Sequence, residues 1–441
     1  MTQNKKLSSL IKITKWKKVI FWDTWKHSYI DIKCLRDDNV NWYTDEEGVF
    51  CTKKDIVIAW DWSKSGTVGY WLEGVIWSTL AKLKITNEEV DTKYLWEFLR
   101  SNYKYLNGNV SGVAIPHLKK EFLVNLEIPL PSIDTQRLIV SEIEKQFSRL
   151  DEWLSSLVRI KENLKSYRAS LMKSAVEWKL TSKWRKTQNL EPARTLLKKI
   201  LDERKNKFLS EHPRKKYKEP EWIKDEDLLS IDLPEGWEWC ILEQITSKIT
   251  DWTHKTPKYI KDDEINWRDV IRFISAKNIK DFNLVIDDYK FILREEHEEL
   301  NKKIQLEKWD VFIAKSWSIW QSTVFDLDDE FSIFESLAIL KIINKNMSKY
   351  LALLINSDLW QKQIRSKSKW VAVQHLHLED IRKLSFPLPP FSEQNEIVKI
   401  VESKLSIVEK LEKLVDANIK KSKNLKQAIL KKAFSGELIP E

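Results

Sequence analysis

The chain reads as two copies of one plan, and this limits its fold more than any local signal does. At an offset of 258 residues, Gly112-Val113-Ala114-Ile115-Pro116-His117-Leu118 falls on Trp370-Val371-Ala372-Val373-Gln374-His375-Leu376, and Ile128-Pro129-Leu130-Pro131 falls on Phe386-Pro387-Leu388-Pro389. Gln136 then meets Gln394, Glu144 meets Glu402, and Glu177-Trp178-Lys179-Leu180 meets Ser435-Gly436-Glu437-Leu438. A second offset, of 251, places Ser65-Gly66-Thr67-Val68-Gly69 on Ser316-Trp317-Ser318-Ile319-Trp320.

Each Pro-Leu-Pro element leads into a long helical pattern. Ile139, Ile143, Phe147, Leu150, Leu154, Leu157, Leu164, Leu171 and Ala175 step by 3, 4 or 7, as do Ile397, Val401, Leu405, Val408, Val415, Ile429 and Ala433 with gaps. Such a seam runs along one helix face and requires a partner of the same kind. Helices near 35 to 40 residues exceed the usual globular range of about 8 to 20, which points to an antiparallel coiled-coil pair. Short strands precede each helix, Asp55-Ile56-Val57-Ile58-Ala59 in one copy and Asp310-Val311-Phe312-Ile313-Ala314 in the other. A charged, Pro-punctuated stretch separates the copies. The expected fold class is α+β, with domains of mixed strands and helices at 1–138 and 234–391, long helices at 139–180 and 392–435, a linker at 181–233 and a tail at 436–441.

The same alignment exposes an anomaly of composition. The chain holds 22 Trp and 8 Gly, where about 7% glycine, roughly 31 residues, is ordinary for this length. Four aligned positions pair Gly with Trp: 112 with 370, 178 with 436, 66 with 317 and 69 with 320. Asp251-Trp252-Thr253 and Lys315-Ser316-Trp317 lie in polar, turn-like stretches, where glycine serves because it takes φ > 0 without steric cost. The expectation is that many of these tryptophans are glycine in the living cell, from a lineage that reads UGA as Gly. Trp178, Trp252, Trp317, Trp320 and Trp370 are then expected to be exposed or strained. Trp237 and Trp239, in Pro234-Glu235-Gly236-Trp237-Glu238-Trp239, read as true aromatic anchors, as do Trp60 and Trp184.

With 42% hydrophobic residues the chain can bury ample core, and its net charge of +9 favours polyanions, nucleic acid first. Cys34, Cys51 and Cys240 form no C-x-x-C pair, so neither a disulfide framework nor a zinc site is expected. No stretch approaches 18 apolar residues, and Met1 to Lys6 is polar; the expectation is a cytoplasmic protein outside the membrane.

No nucleotide-binding G-x-x-x-x-G-K-S/T, H-E-x-x-H or G-x-S-x-G motif is present, even with every Trp read as Gly. His375, His377, Glu379 and Asp380 cluster, but only His375 has a repeat partner, so no metal is expected. Pro389-Pro390-Phe391 superficially suggests an amino-methyltransferase loop and lacks its Asn; a strand-to-helix stop explains it better. The positive signal is for DNA binding. Thr253, His254 and Lys255, Lys277 and Asn278, Lys315, Ser316, Ser318 and Gln321, Lys64 and Ser65, and Gln374 and His375 combine phosphate-reaching lysines with amides and hydroxyls able to read base edges.

These residues also carry a resemblance. Ile249 to Pro257 is similar to I-T-D-G-T-H-K-T-P, Ile313 to Gln321 to I-A-K-S-G-S-I-G-Q, Val371 to Leu376 to G-A-V-Q-H-L, and Leu425 to Pro440 to L-K-Q-A-I-L-K-K-A-F-S-G-E-L-V-P. All are segments of the specificity subunits of type I restriction-modification systems. The chain departs from them mainly where Gly is expected and Trp stands, at 178, 252, 309, 317, 320 and 370, and its first residues, Met1 to Tyr43, match less well. The resemblance implies a noncatalytic, two-lobed reader of double-stranded DNA in which each domain reads half of a split site. It implies that the helices set the spacer and dock two methyltransferase subunits through the seam residues Phe147, Leu150, Leu154, Leu157, Leu171, Val401, Leu405, Val408, Val415 and Ile429. Restriction subunits would join that complex, and S-adenosylmethionine, ATP and Mg²⁺ would belong to the partners, with no cofactor on this chain. The competing expectation is a Trp-rich carbohydrate-binding or structural repeat protein.

Overall fold

A computed structural model of the chain describes residues 3–439 apart from 16–26, 38–41, 45–47, 113–115, 224–231, 252–256, 262–264, 266–268, 281, 303, 316–319 and 368–376. Two compact units are formed, one from Met1–Lys161 with Lys413–Glu441 and the other from Glu162–Glu412.

In the first copy β1 (Gln3–Lys6) and β2 (Ile11–Lys15) are followed by β3 (Ile56–Ala59), β4 (Val68–Gly69), β5 (Leu80–Ile85), α1 (Thr92–Ser101), β6 (Glu127–Leu130) and α2 (Ile133–Val176). A linker helix, α3 (Ala193–Glu211), precedes the second copy. That copy contains β7 (Glu238–Ile241), β8 (Thr246–Asp251), β9 (Val311–Ala314), β10 (Ser322–Val324), β11 (Leu337–Ile342), α4 (Ser348–Ile355), β12 (Ser385–Leu388) and α5 (Phe391–Phe434). One sheet has the order β2-β5-β3-β4 and its counterpart β8-β11-β9-β10, the same topology twice. Ile58 faces Ala81 in the first and Ile313 faces Ala338 in the second. The central strands β3 and β9 are buried on both faces along their whole length, which is why their sequences are continuous apolar runs without alternation. In each copy the opening strand pairs antiparallel with the Pro-containing strand before the long helix, β1 with β6 and β7 with β12.

The duplication extends to single contacts. Buried Gln136 donates from Nε2 to the Pro131 carbonyl at 2.9 Å, and Gln394 donates to Pro389 at 2.9 Å. The Tyr94 hydroxyl donates to Pro129 at 2.7 Å and that of Tyr350 to Pro387 at 2.9 Å. Lys93 pairs with Glu144 as Lys349 pairs with Glu402. The tyrosines hold the strand that leads into each long helix, the glutamines the strand-to-helix corner, and the lysine pairs the helix itself, so polar contacts fix the same geometry in both copies.

α2 and α5 are 44 residues each, about 66 Å at 1.5 Å per residue. They begin at Ile133 and Phe391, the first of them six residues before the start the apolar seam suggests, because the helix is nucleated by the Pro-Leu-Pro stop. Their pairing is antiparallel within the first unit, where Asp151 meets Lys426 at 2.6 Å and Lys161 meets Asp416 at 2.7 Å. In the second unit Arg168 meets Glu412 at 3.1 Å. Both helices end alike. Two residues beyond the last helical residue stands Trp178 at φ 51° after α2 and Gly436 at φ 82° after α5, the left-handed cap that favours glycine.

Trp178 is not alone. Among the described residues five other than glycine have positive φ: Trp62 (76°), Trp71 (64°), Trp178 (51°), Trp309 (74°) and Phe282 (69°). Trp62 and Trp71 are also 52% and 61% exposed. Trp252, Trp317 and Trp370 lie outside the described residues. Trp320 departs from expectation: it is fully buried and does not have positive φ. It enters extended strand β10 and sits in the second unit's core, although its indole N–H finds no hydrogen-bond partner among the described residues. At its counterpart Gly69 a Cβ would lie 2.6 Å from Leu35 Cδ2 and 2.7 Å from Leu72 Cδ1, so the two cores differ there.

Trp237 behaves as a true anchor. Its buried indole N–H donates to Glu393 at 2.9 Å, and the same carboxylate accepts from Thr181 Oγ1 at 2.6 Å and Arg185 Nε at 2.9 Å. Glu393 lies in the first turn of α5, where a negative charge is favoured by the helix dipole.

Candidate nucleic-acid interface and docking faces

In the first domain the candidate residues lie in the turn between β3 and β4. This turn is held by backbone bonds from Gly66 N to Ala59 O (2.8 Å) and Ser65 N to Trp62 O (3.0 Å), and by the Asn107 side chain donating to Ser63 and Ser65 carbonyls at 3.1 and 2.9 Å. Lys64 projects from it and is exposed, as a phosphate-reaching lysine must be. Ser65 is corrected: it is buried, and its hydroxyl donates to the Trp62 carbonyl at 2.6 Å, so it shapes the turn and cannot reach DNA. Beside the turn, exposed His117 is oriented by Asp61 at 2.5 Å from Nδ1. Sequence reasoning used His117 only as the repeat partner of His375; the pairing with Asp61 joins residues 56 apart and left no local signal.

In the second domain Lys277 is half exposed and reaches Asp288 at 3.0 Å, and the ammonium holds that carboxyl below the usual range. Asn278 is corrected. It is buried, accepts from Ser275 N at 2.9 Å and donates to the Val285 and Asp288 carbonyls at 3.2 and 2.8 Å, which caps the turn rather than presenting an amide to a base. Lys315 follows β9 and is largely covered, paired with Asp251 at the end of β8. Gln321 is half-buried, with a side-chain oxygen that has no hydrogen-bond partner among the described residues. Thr253, His254, Lys255, Ser316, Ser318, Gln374 and His375 lie outside the described residues. Lys315 and Gln321 therefore flank, at the ends of β9 and the loop after it, a stretch most of whose candidates are not described.

The seam residues chosen for partner docking face inward instead. Phe147, Leu150, Leu157, Leu171, Val401, Val408, Val415 and Ile429 are buried, and Leu154 and Leu405 half-buried. They are consumed by the chain's own helix pairing and cores, as an antiparallel pair requires. Among the described residues the helices leave uncovered a different apolar set: Leu138, Trp153, Val158, Ile160 and Tyr167 on α2, and Ile407, Leu411, Leu414 and Leu425 on α5. Trp153 matches Leu411 and Tyr167 matches Leu425 at the 258-residue offset, so these two exposed apolar positions are duplicated. That correspondence was available in the sequence, hidden because the buried seam offers the stronger period. Exposed apolar sites in a repeated pattern mark interaction faces.

Nothing described here has the make-up of a reaction centre built on thiols. All three cysteines are buried thiols, and burial pushes the Cys34 thiol up to about 11 and the Cys51 thiol up to about 12, far from the reactive range.

Comparison with known proteins agrees with this picture. The profile of the type I restriction modification DNA specificity domain matches twice, over residues 2–156 and 234–428. The specificity subunit of the type I restriction enzyme EcoBI from Escherichia coli is 23% identical over 410 residues, 92% of this chain and 78% of the relative. That of MjaVIII from Methanocaldococcus jannaschii is 28% identical over 150 residues, 33% of this chain and 34% of the relative. Among solved structures, a chain from a type I restriction-modification system studied for its complex assembly and conformational transition covers 99% of this chain and 98% of itself, with a TM-score of 0.65 at 16% identity. The HsdS subunit of Thermoanaerobacter tengcongensis gives 0.55 over 99% and 97%, also at 16% identity. With the profile falling on both copies, the chain belongs to the type I restriction modification DNA specificity family.

Proposed function

We propose that this chain is the DNA-reading specificity subunit of a type I restriction-modification complex, with each domain reading one half of a bipartite site in double-stranded DNA. The observation that carries the reading is the double match of the specificity domain to two copies that share strand order and helix-foot contacts. Two equal readers on one chain suit a target of two half-sites. The long helices set the length of the unread spacer, and their repeated exposed residues, Trp153 with Tyr167 and Leu411 with Leu425, offer each of two modification subunits an equivalent apolar face. Restriction subunits complete the assembly. The chain itself performs no chemistry: S-adenosylmethionine serves the modification subunits, and ATP and Mg²⁺ the restriction subunits. Among the described residues no helix is long and apolar enough to cross a membrane, and the proposed place of work is the cytoplasm, where the DNA is. The carbohydrate-binding alternative has no observation in its favour.

The test is methylation mapping in cells that carry the chain with its modification subunits. The expected outcome is a split motif with a fixed gap. A short continuous motif would refute the two-reader assignment.

A further inference from the structure

We propose that positions 62, 71, 178 and 309 are glycine in the protein as the source cell makes it. The backbone carries the argument. Four of the five described non-glycine residues with positive φ are Trp, although the left-handed region is visited chiefly by Gly and next by Asn or Asp, and a bulky side chain there is a true outlier. Trp is one residue type among twenty, and nothing in an indole draws the chain into that region.

Each site is a place with a glycine job. Trp178 occupies the left-handed cap that Gly436 occupies in the other copy, and both are followed by a cap bond, Leu180 N to Ser174 O at 3.2 Å and Glu437 N to Lys432 O at 3.0 Å. Trp309 is third in the turn closed by Asp310 N to Glu307 O at 3.0 Å, with positive φ at that position alone, the type II pattern that calls for Gly. Trp62 opens the turn before β4 and Trp71 the bend after it, both with rings turned largely to solvent. By contrast Trp96 and Trp237, whose indole N–H groups donate to Val68 O at 3.3 Å and Glu393 at 2.9 Å, have ordinary φ. The chain thus holds two kinds of Trp, one that packs and bonds and one that stands where only the backbone matters. A codon read as Trp by one translation table and as Gly by another, UGA, produces this division, whereas UGG codons cannot.

Sequencing of the gene together with peptide masses from the native protein tests this. UGA at 62, 71, 178 and 309, UGG at 96 and 237, and glycine masses across the first four are expected. UGG codons or Trp-containing native peptides at two or more of the four positions would overturn the proposal.

A different observation carries a second inference, which rests on the DNA-reading assignment. Ala193 to Lys218 holds ten Lys or Arg against three Asp or Glu, seven of the chain's nine net positive charges. This segment lies outside both specificity-domain matches. One face of α3 is buried through Ala193, Leu196, Leu197 and Ile200, and Arg204 is bound to the Thr246 carbonyl at 3.0 Å. Lys198 and Lys207 on α3, and Arg214, Lys215, Lys216 and Lys218 in the segment after it, are exposed and have no ion-pair partner among the described residues. The geometry points to an arm that binds DNA phosphates without reading sequence, since unpaired basic side chains on a docked helix and on the short segment that follows it match a polyanion and no candidate base-reading residue is part of it.

Lys198, Lys207, Lys215 and Lys216 all changed to Gln should lower the slope of log K against log salt by up to about 3.6, at about 0.9 per phosphate contact. Affinity should fall equally for specific and random duplexes, measured on the full chain with its modification subunits. An unchanged slope in a complex that still discriminates its site overturns the arm alone. Loss of modification-subunit binding with DNA contacts intact would also overturn it, making the face a protein contact. A wild-type complex with no site preference would instead defeat the DNA-reading assignment.

Discussion

At Trp62 the two smallest replacements should rank in an unusual order, with glycine giving the more stable chain. Both Trp62→Ala and Trp62→Gly delete the same half-exposed indole, so the comparison isolates the backbone. The bonds made there, Trp62 N to Pro116 O at 2.8 Å and Ser65 N to Trp62 O at 3.0 Å, are main-chain and survive either change. Alanine keeps a Cβ at φ 76°, which costs about 1–2 kcal/mol that glycine avoids. Glycine's freer unfolded chain costs about 0.5–1 kcal/mol. The balance favours glycine by about 0.5–1 kcal/mol, a roughly two- to fivefold difference in opening equilibrium. At Trp96, inside α1 with ordinary φ, the order should reverse by about the same amount, because only the entropy cost remains. Native-state hydrogen exchange of β3 and β5 in the full-length chain reads both. Alanine equal to or better than glycine at Trp62 and at Trp71 would refute the reasoning.

Other consequences follow from the same geometry. Trp153→Asp with Leu411→Asp should weaken co-purification with both modification subunits while helical circular dichroism is kept, since each face loses one apolar contact of about 2 kcal/mol, roughly thirtyfold in affinity; undiminished co-purification would exclude these faces. Four residues inserted in both long helices, after Lys161 and after Glu412, lengthen each by about 6 Å, near two base-pair steps. The methylated motif should keep its half-sites and gain about two base pairs of spacer. His297 is buried against Ser332 and Asn301, with Glu330, Glu298 and Arg294 around it, and burial holds its pKa below the ordinary value. The unfolded chain therefore takes up a proton first: this residue's contribution is complete above about pH 6.5 and is lost as pH falls through the folded pKa. His297→Asn should flatten the acid side of the second unit's stability curve, read by exchange at β9 and β11, and an unaltered slope would show that the imidazole is not responsible.

The repeat made the two-domain plan legible, because Gln136, Glu144 and the Pro-Leu-Pro elements keep the same tasks in both copies. The long helices were legible from their seam. What the seam does was misassigned, because periodicity reports that a face is buried and is silent on what covers it; Phe147 and Val408 face the chain's own interior. Lysines could be named but not sorted. Lys64 is exposed and Lys315 is covered by Asp251, a difference set by a carboxylate 64 residues away. Ser65 and Asn278 have the right chemistry for base contact and spend it on their own turns, as short polar side chains in turns commonly do. The tryptophan anomaly was legible in outline, and the backbone then selected different members: Trp62 and Trp71 joined the set and Trp320 left it.

The first unit is assembled from Met1–Lys161 and Lys413–Glu441, and its core includes Ile429, Leu430 and Ala433 with Phe434 against Tyr94 and Phe98. The second unit is a single uninterrupted stretch. During synthesis the unit that begins at residue 1 must therefore wait for residues 413–441 to leave the ribosome before its core can close, while the other unit can close as soon as its own stretch is out. Contacts between such distant segments form slowly and leave apolar surface uncovered meanwhile. The nascent first half is thus the stage at which this chain most needs shielding, and frameshifts near residue 430 would injure the amino-terminal domain before any other.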